Sequence, residues 1–341
     1  TPRSVRARSS VGRRGLTTWT RTARSDPGHM VNDTGKDDRT TNRLTVGITG
    51  ASGLVGRALS AHLEGAGHTV RRFVRGGTAT PAGDIAWDPT GGTVDGAAAE
   101  GLDAVVHLAG ESVVGLWTTA KKARIRDSRV VGTRTLVDAL SSLKRRPRVL
   151  VSASAIGYYP DLGDGAVDEA CPAGPGFLAE VCAAWEAEAL RAEAAGIRTV
   201  CLRTGLALSR HGGALGAMLT PFRLGIGGRM GSGTQFYSWI SMPDLVRAYA
   251  FAIEHDAPRG AMNATAPTPV TNLEFTKTLG RVLGRPTVMP VPSAVLRTAL
   301  GEFSTELLSS HRVLPKRLTE AGFQFEHPTV DSALKAAISH D

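Results

Sequence analysis

The period of the hydrophobic positions changes along the chain, and each change marks an element. Leu44-Thr-Val-Gly-Ile-Thr49 is an apolar, β-branched run closed by Gly50, the pattern of a buried strand. From Gly53 to about Ala66 the spacing turns helical, and Gly65-Ala66-Gly67 supplies the stop. Thr69–Val74 reads as a second strand. Asp103-Ala-Val-Val-His-Leu108 reads as another, closed by Ala109-Gly110. A long helix is expected from about Thr118 to Leu143, a strand over Arg148–Ser152, a helix over about Gly176–Ala195 and a strand over Arg198–Arg203. Such alternation predicts an α/β fold, a doubly wound parallel sheet with helices on both faces.

Beyond about Gly205 the texture changes. Glycine becomes dense between Gly212 and Gly233, and short helical patterns follow at Pro243–Ile253, Asn272–Leu283, Ser293–Leu300 and Thr329–Ala337. We therefore expect a first domain over 43–205, with parts of 234–265 returning to it, and a smaller α+β lobe over 206–341. Residues 1–42 lack apolar periodicity and are rich in Arg, Ser, Thr and Gly, so a disordered leader is expected there.

Charge adds little to this picture once it is divided. The net charge is +9, of which +5 falls in residues 1–42. The body is mildly basic, and its densest cluster, Lys144-Arg145-Arg146, suits a solvated loop, so no nucleic-acid partner is expected. The Arg-rich leader also has the composition of an organelle transit segment, although no amphipathic face is evident. Three cysteines (Cys171, Cys182 and Cys201) form no Cys-x-x-Cys pair, and no His-Glu-x-x-His occurs. A reducing compartment, with the cytoplasm first, no protein-bound metal and no membrane span are the expectations.

The chemistry starts at Gly50-Ala-Ser-Gly53-Leu-Val-Gly56, between a predicted strand and a predicted helix. In that context each glycine has a task. Gly50 permits the turn off the strand, Gly53 lets a pyrophosphate approach the backbone, and Gly56 lets the helix pack on the sheet. The helix N-terminus then offers free N–H groups to the phosphates. The absence of Gly-Lys-Ser/Thr excludes a P-loop. At the end of the second strand, where an NAD protein usually carries Asp or Glu for the ribose 2′-OH, this chain has Phe73-Val74-Arg75, and no acid lies between Glu64 and Asp84. Arg75 offers a fork for a 2′-phosphate, which favours NADP(H); its plainer reading is a solvated charge. Small residues at Leu108-Ala109-Gly110 let the cofactor lie against the backbone, and Arg129 is placed to reach a phosphate or ribose.

At this point a resemblance becomes specific. The stretches Thr49–Gly56, Leu108-Ala-Gly-Glu111, Ser128-Arg129, Ser154-Ala-Ile-Gly-Tyr-Tyr159, Phe177–Cys182 with Trp185-Glu186, Leu202–Gly205, Gly231-Ser-Gly233, Trp239-Ile240 and Pro290–Ser293 resemble the atypical extended short-chain dehydrogenase/reductases, the NAD(P)-dependent epimerase-like proteins. The likeness is to the branch with a C-terminal domain of unknown function, and it runs from about Leu44 to Ala337. It implies a Rossmann fold with NADP(H) on Gly50, Ser52, Gly53, Leu54, Val55, Gly56, Arg75, Leu108, Ala109, Gly110 and Arg129. It also implies a substrate pocket between the lobes and, by analogy, a homodimer through the two long helices. Relatives commonly read Trp-Ile-His where this chain has Trp239-Ile240-Ser241.

Ordinary members of that superfamily use Ser, Tyr and Lys, the lysine lowering the phenol pKa so that the tyrosine can carry the proton. Ser154 stands at a strand end, but there is no Tyr-x-x-x-Lys. The helix offers Phe177 or Leu178 at the Tyr position and Val181 or Cys182 at the Lys position, and no lysine occurs between Lys144 and Lys277. Tyr158 is the preferred substitute as proton donor, with Tyr159 beside it. Glu111 and Glu180 are further acids near the site, and Glu111, Arg203, Gln235 and Trp239 are expected to line the substrate pocket. Cys182 lacks an evident base. Two readings follow: an NADP(H)-dependent oxidoreductase or epimerase acting on a nucleotide sugar or similar polar metabolite, or a non-catalytic NADP(H)-binding sensor or scaffold.

Overall fold

The computed structural model describes Thr1, residues 43–76 and residues 83–339. The expectation for the leader therefore falls, but for Thr1, outside the described residues. Eight strands form one sheet: β1 Thr45–Thr49, β2 Thr69–Arg75, β3 Ile85–Asp88, β4 Thr93–Val94, β5 Ala104–His107, β6 Val149–Ala155, β7 Arg198–Thr204 and β8 Gly260–Ala264. Their order across the sheet is β8-β7-β6-β5-β1-β2-β3-β4, parallel throughout except for the β3–β4 edge. The order reverses at β1, so a crevice opens beyond the carboxyl ends of β1 and β5, where such sheets bind their ligands.

The central strands read as continuous apolar runs because both faces are covered. Period-two alternation sorts their side chains. Val46, Ile48, Val106, Val149, Val151 and Leu202 face one core with Leu59 and Leu63 of α1 (Leu54–Gly65). Phe73, Ile85, Trp87, Val105 and Leu150 face the other, with Leu136 and Leu140 of α2 (Thr119–Ser142). On the same face as α2 runs α3 (Phe177–Leu190), continued by the 3₁₀ turn Arg191–Ala195.

Past β7 the chain leaves the sheet and builds a separate apolar core. It joins Leu215, Leu219 and Phe222 of α4 (Gly213–Arg223), Trp239, Phe275 and Leu279 of α6 (Asn272–Leu283), and Leu334 of the helix Val330–Ser339. Between these, α5 (Met242–Glu254) returns to the sheet with Leu245, Ala248 and Tyr249 in the α1 core, and β8 closes the sheet edge on β7. Two short helices, α7 (Ser293–Leu300) and α8 (Phe303–Leu308), then lead to Arg312–Val313, which pairs in parallel with Ala166–Val167. Among the labelled elements, sequence periodicity missed β3, β4, β8, α4 and α8. Each is short or glycine-flanked and holds its shape through tertiary contacts.

Candidate functional site

At the end of β1 the chain turns through Gly50 at φ +68°, a left-handed conformation that suits glycine. A Cβ there would also meet the Ala109 N and Leu108 C atoms at 2.9 Å. At Gly56, on the buried side of α1, an added Cβ would meet Gly50 O and Ala51 Cα, the latter at 2.7 Å. Glycine at both places lets the turn sit directly on the helix. Gly53 is the N-cap of α1, makes no side-chain cap and is followed by no acid in the first turn. The first N–H groups of α1 therefore face outward with a partial positive charge and no internal partner.

Thr49 fastens the crevice. Its Oγ1 accepts from the Leu108 N–H at 3.1 Å and the Ala109 N–H at 3.2 Å, and lies 2.7 Å from His107 Nδ1. With both backbone donors on the oxygen, the Thr49 hydroxyl proton goes to Nδ1. His107 then carries its proton on Nε2 and donates it to Thr133 Oγ1 at 2.9 Å. Burial, with the charge of Arg129 added, lowers the His107 pKa to about 3, so the ring is neutral. The ends of β1 and β5 are thus held in register by neutral hydrogen bonds.

A cleft of about 930 Å³ opens over this frame. Gly50, Ala51, Ser52 and Gly53 form one wall, and Leu108, Ala109, Gly110 and Glu111 form another. Arg57, Arg72, Arg75, Trp87 and Thr90 also line it. Arg75 makes no hydrogen bond or ion pair with any described residue, and Arg72 has only Asp84 at 3.7 Å. The Arg57 guanidinium donates to Ser52 O, on the turn itself. These residues fit a dinucleotide: a backbone cradle a Cβ would fill, an uncapped helix end, and guanidinium groups along the cleft, among which Arg75 has no described partner. The sequence named Arg75 but missed Arg57 and Arg72, which belong to different faces of their elements in any one-dimensional pattern.

Arg129 does not line the cleft. It lies beneath Gly110, donates to Glu111 O at 2.9 Å and to Ile125 O at 3.2 Å, and covers the Trp185 ring at 5.1 Å. It shapes the 110–111 loop from behind. Glu111 does face the cleft. A hydrogen bond from Lys121 Nζ, at 2.7 Å, holds its carboxyl below the usual carboxylate range.

Ser154, at the end of β6, is buried and donates to Glu186 Oε1 at 2.6 Å. Glu186 is held by both prongs of Arg203 at 2.8 Å, and Arg203 also donates to Tyr159 OH at 2.9 Å. Tyr159 in turn donates to Asn263 Oδ1 at 2.7 Å. This corrects the expectation for Arg203: its guanidinium is spent on an internal carboxylate, which leaves no fork for an anionic substrate. Tyr158 lays its ring on Arg203 with the guanidinium carbon 3.4 Å from the ring centre, and its hydroxyl has no described partner. The ring also packs edge-on against Tyr159 at 5.3 Å.

Gln235 and Trp239 are also corrected. Gln235 is buried and donates from its amide to Met230 O at 3.1 Å, and Trp239 lies fully inside the core of the second lobe. Ser241, where relatives carry histidine, caps α5: it accepts from Asp244 N at 3.0 Å and donates to the Asp244 carboxylate at 2.8 Å. Glu180 is exposed. Cys182 is buried and its thiol is pushed up to about 12 by desolvation, which removes it as a nucleophile. Of the two alignments of α3, the structure favours Leu178 and Cys182. Leu178 packs on Gly157, just past the end of β6, and Cys182 lies beside Ala155.

Comparisons with known proteins bear on the family and the fold. The sequence model of the NAD dependent epimerase/dehydratase family matches residues 46–264, and that of a domain of unknown function, DUF1731, matches residues 291–337. An epimerase family protein of Mycobacterium bovis is 45% identical over 291 residues, which cover 85% of this chain and 96% of that protein. The crystal structure of human epimerase family protein SDR39U1 (isoform 2) with NADPH superposes with a TM-score of 0.77 at 33% identity, covering 87% of this chain and 99% of that one. A nucleoside-diphosphate sugar epimerase structure from Corynebacterium glutamicum gives 0.71 at 36% identity, covering 86% of this chain and 57% of that one.

Proposed function

The chain belongs to the NAD dependent epimerase/dehydratase family, and from that premise we propose that it is an NADP(H)-dependent oxidoreductase or epimerase acting on a nucleotide sugar or similar polar metabolite. The observation that carries the cofactor choice is the lining of the cleft: Arg57, Arg72 and Arg75 all contribute to it, and the end of β2 bears no carboxylate for a free ribose 2′-OH. The NADPH in the human relative's crystal structure supports the same choice. The backbone of Gly50–Gly53 and the first N–H groups of α1 would take the pyrophosphate, and the loop Leu108–Gly110 the neighbouring ribose.

When bound, NADP(H) supplies or accepts a hydride at its nicotinamide ring. This chain's residues do the rest. Ser154, with its proton committed to Glu186, keeps lone pairs on Oγ to accept from a substrate hydroxyl. Glu111 and Lys121 form a charged rim at the cleft. The second reading, a sensor or scaffold that binds NADP(H) without turnover, draws on Leu178 and Cys182, neither of which can carry a proton at neutral pH.

The test is a fluorescence titration of the full chain with NADPH and with NADH. NADPH should bind at least about tenfold tighter, and Arg75→Ala should remove most of that preference, since a charge-assisted contact contributes about 1.5–3 kcal/mol. Equal affinities in the parent chain would overturn the NADP assignment, and no binding of either would overturn the cofactor reading. Steady turnover of UDP-glucose in the presence of NADP(H) would favour the enzyme over the sensor.

A further inference from the structure

Resting on the reading of a nicotinamide-dependent enzyme, we propose that Glu306, from the C-terminal segment, is the proton-transferring residue of the substrate site and stands in for the missing tyrosine–lysine pair.

The placement begins at the strand end that carries Ser154. Two residues on, the 3₁₀ turn Ile156–Tyr158 presents Gly157. A Cβ at Gly157 would lie 3.3 Å from Leu178 Cβ and 3.8 Å from Glu306 Oε2. Leu178 is the α3 residue that the favoured alignment sets at the tyrosine position. The Glu306 carboxyl therefore comes, from α8, to the same turn that Leu178 packs on.

Its surroundings suit that task. Glu306 has no hydrogen bond or ion pair with any described residue, although it is half-buried. A carboxyl so placed costs stability without a structural return. Its neighbour on the chain, Glu302, is by contrast neutralised by Lys122 at 2.6 Å. Trp117 packs edge-on against Phe177 at 5.2 Å and tilts at 5.8 Å on Phe303, which lies one turn before Glu306 on α8. Burial, and after it the charge of Glu302, raises the Glu306 pKa above the ordinary range. Around it, Lys122 is engaged with Glu302, Glu180 of α3 is exposed, and Tyr158 stands on the Gly157 turn. A carboxyl tuned upward by burial is a better general acid near neutral pH than a solvated one.

The transfers balance without another reagent. In reduction, the substrate carbonyl carbon receives the hydride pair from the reduced cofactor. Its oxygen takes the proton from the Glu306 carboxyl, leaving a carboxylate. Oxidation reverses both, with the alcohol O–H proton passing to the carboxylate as the C–H pair departs.

The experiment compares the full chain with Glu306→Gln and Glu306→Asp, using NADPH with 9,10-phenanthrenequinone as carbonyl probe. Alongside, infrared difference spectroscopy follows the protonated-carboxyl stretch as pH is raised. Glu306→Gln should oxidise NADPH at least about 100-fold more slowly, with NADPH affinity within about twofold because no ground-state contact is lost. Glu306→Asp should recover part of the rate. The parent chain should show a carboxyl band that persists above the ordinary Glu range and disappears in Glu306→Gln. Turnover within about threefold in Glu306→Gln, or no such band in the parent, overturns the role while leaving the cofactor reading intact. NADPH binding without any oxidation in the parent overturns the enzyme reading and this role together.

Discussion

Replacing Gly56 by alanine tests the cofactor cradle where its geometry is tightest. The added methyl would meet Gly50 O, Ala51 Cα at 2.7 Å and Ala51 C at 2.9 Å, all backbone atoms that no rotamer change can move aside. Carbon atoms in contact settle near 3.5–4.0 Å, so the turn must shift by roughly an ångström. Overpacking of this kind costs about 1–3 kcal/mol. For a folded unit of this size that lowers the melting temperature by about 2–10 °C. The same shift pulls the turn's N–H groups off the pyrophosphate. With one or two charge-assisted hydrogen bonds lost at about 1.5–2 kcal/mol each, NADPH affinity should fall roughly 10- to 1000-fold. Gly53→Ala is the internal control for stability, since its only close neighbour is Gly50 O at 3.1 Å. It should melt close to the parent, while its own Cβ enters the space kept for the pyrophosphate. The assay is the NADPH fluorescence titration with thermal unfolding of the cofactor-free protein. Gly56→Ala with parent-like affinity and melting, or Gly53→Ala melting as low as Gly56→Ala, would refute the reasoning.

Two further outcomes are expected. His107 has a folded pKa of about 3 against an ordinary 6.5, so as pH falls the unfolded chain takes the proton first. The contribution is complete above about pH 6.5 and drains at up to about 1.4 kcal/mol per pH unit toward pH 3. Denaturant unfolding from pH 6.5 to 4 should show a shallower slope in His107→Gln than in the parent; identical slopes would place the proton elsewhere. Glu186→Ala strands Arg203 with an unpaired buried charge and should cost about 3–5 kcal/mol. In denaturant unfolding, a loss below about 1 kcal/mol would mean that the guanidinium finds water.

The parts of the site legible in the sequence were those whose chemistry lies within a few residues. The turn Gly50–Gly56 reads from its own spacing, and Arg75 from its place at a strand end. Arg57 and Arg72 escaped notice because only the packing of α1 beside β2 brings both to the lining of the cleft. The role of Arg203 was misread for a related reason. An arginine at a strand end near a cleft suggests an anion site, and nothing local says that Glu186, 17 residues earlier, claims both prongs. Trp239 and Gln235 followed a motif into the expected pocket, whereas the glycine-rich stretch before them folds back and buries both. The strand Ile85–Asp88 carries only four residues, too few for alternation to register against its glycine- and proline-rich flanks.

The matched family segments divide the chain at about residue 264 and resume at 291, but the hydrogen bonds respect no such border. Leu314 O accepts from Asn263 of β8 at 3.0 Å, Val313 N donates to Ser238, and Glu169 accepts both from Asn263 N and from Arg317 N. A gene encoding residues 291–337 alone would inherit neither the strand edge nor the acceptors that finish its own backbone, and a gene ending at 264 would leave Asn263 and Ser238 facing solvent they were not shaped for. Each segment finishes the other's hydrogen bonds, so a change on one side of the border has its cost on the other. Exchange of genetic material should therefore keep them in a single reading frame.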